Sequence, residues 1–318
     1  MTRRMLVSLF LTAGILTAGA FGFILPALSE TNIAVANAGS SSVSDSHLLE
    51  IGHAAKIRAG AESPSNIKVV SYNIRWRGGE ELRQLAHLLK HDAEIGGAAI
   101  LGLQEIDRNR KRTGNKNTVR ALADELGMYY AWAAPPTPGG EKEEETGVAI
   151  LSSYPLSQVH RIVLPHEGPG KRRRVALGAT IKAGTTHVRV YSVHSENRMA
   201  VGKKLEQSKA VLADLAHYPK DMPAIILGDL NTWESSAVTK TIQLFKDKGF
   251  HTPFDTRSTF SRKILFVDIA FKLDWIWLRK LQPNSHGVDR EVGLSDHWPL
   301  WLTVGMNPKS ANSVPPLN

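Results

Sequence analysis

A series of short motifs bearing carboxylate, amide or imidazole groups runs in a fixed order along the chain. They are Ser-Tyr-Asn at 71–73, Leu-Gln-Glu at 103–105, His194, Gly-Asp-Leu-Asn at 228–231, Leu-Asp at 273–274 and Ser-Asp-His at 295–297. Several stand where apolar, β-prone residues give way to polar ones, so each projects a hard oxygen or an imidazole from a strand end. Any fold for this chain must bring strand ends from distant parts of the sequence to one place. Hard oxygens gathered in that way suit divalent-metal chemistry on phosphate esters.

The pattern between the motifs predicts the frame. Residues 67–72 alternate as a strand and 99–103 form a buried one, while 80–91 place Leu82, Leu85, Ala86 and Leu89 at helical spacing. A second helix over 117–126 is stopped by Gly127 as a carboxy-terminal cap. Strands follow near 129–132, 148–152, 158–164, 175–181 and 188–194. The longest helix spans 200–217, then come a short buried strand at 224–227, a helix at 235–246, and strands at 269–278 and 299–304. Strands and helices mixed in this way predict an α/β domain of two mixed sheets stacked face to face with helices outside, rather than a single parallel sheet. No linker or solenoid repeat interrupts residues 66–306, so this stretch is read as one domain.

The ends are read differently. Arg3 and Arg4 precede an uncharged run at 5–29, and Ala36-Asn37-Ala38 follows as a small-x-small cleavage signal, so residues 1–38 are expected to be a signal peptide or signal anchor. Either role exports the domain, leaving it periplasmic, secreted or anchored to the membrane through residues 5–29. Residues 39–65, rich in Ser, Ala and Gly, are expected to be a flexible linker, and 307–318 a flexible tail. The chain has no cysteine, which excludes disulfides, thiolate catalysis and cysteine-ligated zinc. Its formal charge of +9 suits an anionic partner such as nucleic acid or phospholipid headgroups. No protein partner is inferred.

Phosphate ester hydrolysis needs a cation, a base and a group to meet the phosphoryl oxygens. Glu105 ends an apolar stretch, where a carboxylate is costly unless paired with a cation, and is the first candidate metal ligand. Asp229 and Asn231 follow a buried strand and alternate onto one side, where Asp229 would take a proton from water and Asn231 would hold the aspartate or the phosphate. His297 would serve as electrophile or general acid, oriented by Asp274, an acid inside an apolar strand; Asp296 would complete the metal or water shell. Magnesium, with manganese as a substitute, suits such a set, and no His-Glu-x-x-His pattern marks a zinc site.

The ordered set Ser-Tyr-Asn-Ile, Leu-Gln-Glu, Gly-Asp-Leu-Asn, Leu-Asp-Trp-Ile and Ser-Asp-His-Trp-Pro resembles the endonuclease/exonuclease/phosphatase superfamily over roughly residues 66–306. The resemblance implies a four-layer α/β sandwich like that of deoxyribonuclease I and magnesium-dependent hydrolysis by in-line attack. It places Asn73 and Glu105 at the metal and phosphate, Asp229 and Asn231 at the nucleophile, Asp274 with His297 at a phosphoryl oxygen, and His194 near the scissile phosphate. The second acid that some members use to orient that last histidine has no evident counterpart; the acidic run at 141–145 is nearest in sequence order.

The substrate stays open at this level. Arg108, Arg110 and Arg112 recur at every second residue after Glu105, and an extended loop would turn all of them toward one phosphate. Residues 171–174 form a second basic cluster, and Trp76, Trp233 and Trp298 lie near the motifs, where they serve either as core or as surfaces for a base or a lipid interface. The expected activity is a phosphodiesterase of nuclease type. The alternatives are a phospholipid or inositol-phosphate phosphoesterase and a non-catalytic binding module on the same fold.

Overall fold

A computed structural model describes residues 43–62, 64–136 and 145–306. The expected signal segment and the expected tail lie outside these residues. In chain order the elements are β1 (Leu49–His53), β2 (Asn66–Asn73), α1 (Gly79–His91), β3 (Ile100–Arg110), β4 (Lys116–Asn117), α2 (Thr118–Leu126), β5 (Tyr129–Ala133), β6 (Glu145–Ser152), β7 (Leu156–Val163), β8 (Val175–Ala183) and β9 (Thr186–His194). They continue with α3 (Val201–Leu215), β10 (Ala224–Asp229), α4 (Ser235–Asp247), β11 (Phe260–Ile264), β12 (Val267–Phe271), β13 (Asp274–Arg279), β14 (Pro283–Val288) and β15 (Leu300–Gly305).

One sheet runs β1-β5-β6-β3-β2-β15-β14, with β4 attached to β3; the other runs β13-β10-β9-β8-β7. Their inner faces share one core, in which Val69, Ile100, Val148 and Ile150 meet Leu177, Val190, Leu227 and Ile276. The sheets approach closely at Gly102, where a Cβ atom would lie 1.8 Å from Leu227 Cδ1. The outer face of the first sheet buries Leu85, Leu89, Val119 and Leu122 of α1 and α2, and that of the second buries Val211, Leu215 and Phe245 of α3 and α4. The predicted four-layer α/β sandwich is therefore the observed one. β2 pairs parallel with β3, and β9 parallel with β10, so Asn73, His194 and Asp229 at strand ends and Glu105 within β3, one residue past the end of its pairing with β2, gather at one cleft.

The predicted linker is corrected by the structure. Residues 43–48 form a short 3-10 helix, and β1 extends the first sheet as an edge strand against β5. Apolar content is low there because the strand is held by a polar anchor. Glu50 accepts hydrogen bonds from Tyr130 (2.7 Å), Arg120 (2.8 Å) and Asn117 (2.9 Å) and pairs with Arg108 at 3.3 Å. The strand expected over 269–278 is also split, because Thr259 Oγ1 accepts from the backbone N–H groups of Leu273 and Asp274 and the chain changes partner at that point. Its first half becomes β12, paired only with β11 in a hairpin outside both sheets. Among the described residues no helix is long and apolar enough to cross a membrane.

Candidate active site

Glu105 does not end its strand as the sequence suggests. β3 continues to Arg110, and the register against β6 slips between Gln104 and Ile106, with Glu105 in the left-handed region at φ 55°. A β-bulge leaves its extra residue unpaired and bends the strand, and this one turns the carboxylate into a cleft of about 400 Å³. Asn231 is likewise left-handed, at φ 52°. Strained backbone of this kind persists only where neighbours fix it. Around Asn231 the neighbours are Ser195 O, which accepts from its side-chain amide at 2.9 Å, Asp229 Oδ1, which accepts from its backbone N–H at 2.9 Å, and Lys204 of α3, which donates to its carbonyl at 3.0 Å.

The buried groups lie close together. Asp229 lies opposite His194 on β9 and opposite Asp274 on β13. Asn73 Nδ2 donates to Asp229 Oδ2 at 3.1 Å and reaches Glu105 Oε1 at 3.5 Å, while its Oδ1 accepts from the Arg75 backbone N–H at 3.2 Å. In this orientation the Asn73 amide bridges two carboxylates. Asp274 Oδ2 accepts from His297 Nδ1 at 2.9 Å and from the Thr259 hydroxyl at 2.8 Å, and His297 Nε2 faces Asp229 Oδ2 at 3.8 Å. Asp296 lines the same cleft and pairs with Arg75 at 3.2 Å.

Charge is distributed unevenly among these groups. Burial pushes the Asp229 carboxyl up toward neutrality, and the nearby Asp274 and Glu105 carboxylates add to that push, against the opposing pull of His297. Burial alone would lower His297, but Asp274, Asp229 and Asp296 outweigh it and raise its pKa to about 10, so the ring is an imidazolium at neutral pH. His194 is driven far the other way by burial and by Arg174, His297 and Arg172.

The partner of His194 is a finding that the sequence left unplaced. Its Nδ1 lies 3.3 Å from Arg174 Nη1, and a guanidinium only donates, so Nδ1 accepts and the proton sits on Nε2. Nε2 then faces Asp229 Oδ2 at 3.6 Å and Glu105 Oε1 at 3.8 Å. Among the described residues an arginine stands where an orienting acid was sought, and Glu145 is engaged elsewhere, with Arg108 and His47. Arg174 is itself held by Glu196, a buried carboxylate that also takes Arg172 through both its oxygens. The cluster at 171–174 is thus partly built into the site, while Thr259 and Lys204 had no sequence signal because a lone Thr or Lys carries none.

The expected arginine triplet does not act as a unit. Arg108 is withdrawn from the site, paired with Glu145 and Glu50, donating to His47 O at 2.7 Å and stacked 4.2 Å from the Trp132 ring. A second register shift, between Arg108 and Arg110 with Asn109 left-handed at φ 57°, breaks the regular alternation that would have aligned them. Arg110 and Arg112 do line a second cleft of about 450 Å³ that shares Trp76, Glu105 and Arg174 with the first. Arg112 is forked onto Asp107 at 2.7 and 2.9 Å and lies 3.9 Å from the Trp76 ring. Glu105 therefore sits where an arginine-lined cleft meets one walled by Trp76, Trp233, Phe260 and Phe271.

Two stacked mixed sheets, with this carboxylate, amide and imidazole set at one edge, define a fold class that other proteins share. The sequence matches the Endonuclease/Exonuclease/phosphatase family over residues 70–297, and the chain belongs to that family. The endonuclease/exonuclease/phosphatase of Beutenbergia cavernae superposes with a TM-score of 0.58 at 17% identity, over 76% of this chain and 72% of that one. Its counterpart from Bacteroides vulgatus gives 0.58 at 15%, covering 77% and 100%. TDP2 from C. elegans gives 0.53 at 19%, covering 76% and 75%. At these identities the likeness is one of fold. No curated protein matches the sequence.

Proposed function

We propose that this chain is a divalent-metal-dependent phosphodiesterase that cleaves by in-line attack of water. The observation that carries the reading is Asp229, a carboxylate 2% exposed whose proton affinity is raised toward neutrality while Oδ2 faces both histidines. A base tuned near working pH is what removal of a proton from water requires. Neutral His194 donates from Nε2 and imidazolium His297, aimed by Asp274, offers a positive N–H, so two donors meet the phosphoryl oxygens from different sides.

The residues fit a hard cation at Glu105. Its carboxylate is one-fifth exposed, lines both clefts and is met by the Asn73 amide only at 3.5 Å. Asp229, Asp274 and His297 also bring ligand atoms within 4.8 Å of one another, but the imidazolium already balances that group. A bound magnesium ion would withdraw charge from a phosphoryl oxygen. The adjoining clefts on either side of Glu105 favour a diester, with one substituent along each. The basic residues and uncharged run at 3–29 support an exported or anchored enzyme.

The test is turnover of bis(p-nitrophenyl) phosphate and p-nitrophenyl phosphate by the full chain, with magnesium or chelator, beside His297→Ala. Magnesium-dependent cleavage of the diester, reduced at least about a hundredfold by the substitution, is expected. Faster cleavage of the monoester would replace the reading with a phosphomonoesterase, and turnover of neither would favour a binding module.

A further inference from the structure

The tip of the β11–β12 hairpin holds the most exposed large apolar side chains among the described residues. Leu265 is 85% exposed, Phe266 95% and Val267 63%. Ile264 pairs with Val267, so Leu265 and Phe266 are the two residues of the turn. Such turns favour Asn and Gly because they demand positive φ, and Leu265 adopts φ 55°. A leucine and a phenylalanine in this place serve neither the turn nor the core. Strained backbone that holds apolar side chains in water is an observation that calls for a partner.

The hairpin's position narrows what that partner is. Its root is part of the active site: Phe260 packs edge-on against His297 with ring centroids 4.9 Å apart, and Ser261 N–H donates to Asp296 O at 2.9 Å. Arg262, on the stem, lines the cleft, and Arg262 with Lys263 outnumber the single acid Asp268 there. The first described residues meet the same face from its other side. His47 pairs with Glu145, which lines the arginine-bordered cleft together with Glu105, and the uncharged run at 5–29 precedes this point in the chain. An apolar tip, a basic stem and a wall with Trp76 36% exposed and Trp233 47% exposed all belong to one side of the cleft and its border.

We infer that the hairpin tip inserts into the interfacial layer of a phospholipid bilayer and sets the active site over the headgroups, so that the diester it meets is that of a phospholipid. This rests on the phosphodiesterase reading for the chemistry, though not for the docking. The tip anchors by burying Leu265, Phe266 and Val267 beneath the headgroups, the stem cations meet the lipid phosphates, and the Trp rings lie at headgroup level. Docking and catalysis are coupled through Phe260, which joins the stem to the ring of His297.

The absence of cysteine allows a clean test. Phe266→Cys and, far from the hairpin on exposed β14, Asn284→Cys each give the full chain one thiol for an environment-sensitive fluorophore. The labelled proteins are mixed with vesicles of phosphatidylcholine, with and without phosphatidylglycerol. Emission should rise and shift to the blue at position 266 and not at 284. Membrane association through residues 5–29 alone would leave both labels in water and would overturn the inference. A shift at 266 that follows protein concentration without lipid would overturn it too, in favour of a second copy. The double variant Leu265→Ser, Phe266→Ser should retain soluble diester turnover and lose at least about tenfold of vesicle phospholipid hydrolysis. Equal losses on both substrates would overturn the docking role. A lipid-dependent shift at 266 in a protein that cleaves no diester would uphold the surface and refute the phosphodiesterase.

Discussion

Two buried aspartates show how differently one fold treats the same group. Asp214, on α3, packs against the outer face of the second sheet, where Tyr191 donates to it at 2.6 Å, Arg189 pairs with it at 3.1 Å and His160 also bonds to it. Burial would raise its pKa, but His160, Tyr191 and Arg189 together take it down to about 2. Asp229, at the end of β10, is buried more deeply, and its nearest imidazoles stay 3.6 and 3.8 Å away, so burial and neighbouring carboxylates push its proton affinity up. Asp214 is a settled charge and Asp229 an unsettled one. A settled charge contributes to holding the sheet and helix together; an unsettled one costs stability and is kept where it can exchange a proton.

The sharpest way to break the comparison is to neutralise each aspartate in turn. Asp229→Asn should lower diester turnover by on the order of a hundredfold to ten-thousandfold, as loss of a general base does, while the melting temperature holds or rises. Asp214→Ala should do the reverse. It leaves the Arg189 guanidinium, which is 0% exposed, without its counter-charge, at a cost of about 3 to 5 kcal/mol in denaturant unfolding, with little change in turnover per folded molecule. A large stability loss in the first variant, or a large activity loss in the second, would mean that the two sites do not divide the work in this way.

The same contrast explains what could be read in the sequence. The site was legible where a motif adjoins a buried strand: Asn73 and Asp229 each end one, Asp274 opens one and His297 stands shortly before one, and the apolar runs that place them are plain in the sequence. Glu105 was legible as a site residue, yet the bulge that aims it was not, because nothing in Leu-Gln-Glu-Ile-Asp signals a slipped register. A second slip, at Asn109, separated Arg108 from the group to which alternation had assigned it. Edge elements were the least legible part of the fold. β1 and β14 carry polar residues along a sheet margin, and β1 is held by Glu50 through hydrogen bonds that no hydrophobic pattern reports. The settled network of Arg189 and Asp214 was invisible for a related reason. On a helix the spacing of Leu205, Val211, Leu212 and Leu215 suggests an apolar face, whereas α3 buries Lys204, Gln207 and Asp214 on it as well.

The gentlest test concerns pH and acts on the settled site alone. Asp214 is depressed from an ordinary 3.8 to about 2, so its contribution to stability is complete above 3.8 and is lost as pH falls toward 2. His160 is raised above 6.5; its bond to Asp214 provides the lift, against burial and Arg189. Its contribution is complete below 6.5 and fades as pH climbs through the raised folded-state value. The pair is therefore strongest between about pH 4 and 6.5. In His160→Gln the loss of stability from pH 6 to pH 9 should be smaller than in the parent, with the acid limb kept because Arg189 and Tyr191 remain. The His160 side chain is 59% exposed, so the difference should be small, a shift of melting temperature rather than a collapse. If the two pH profiles coincide above pH 6.5, His160 adds nothing to the settling of Asp214, and Arg189 with Tyr191 accounts for all of it.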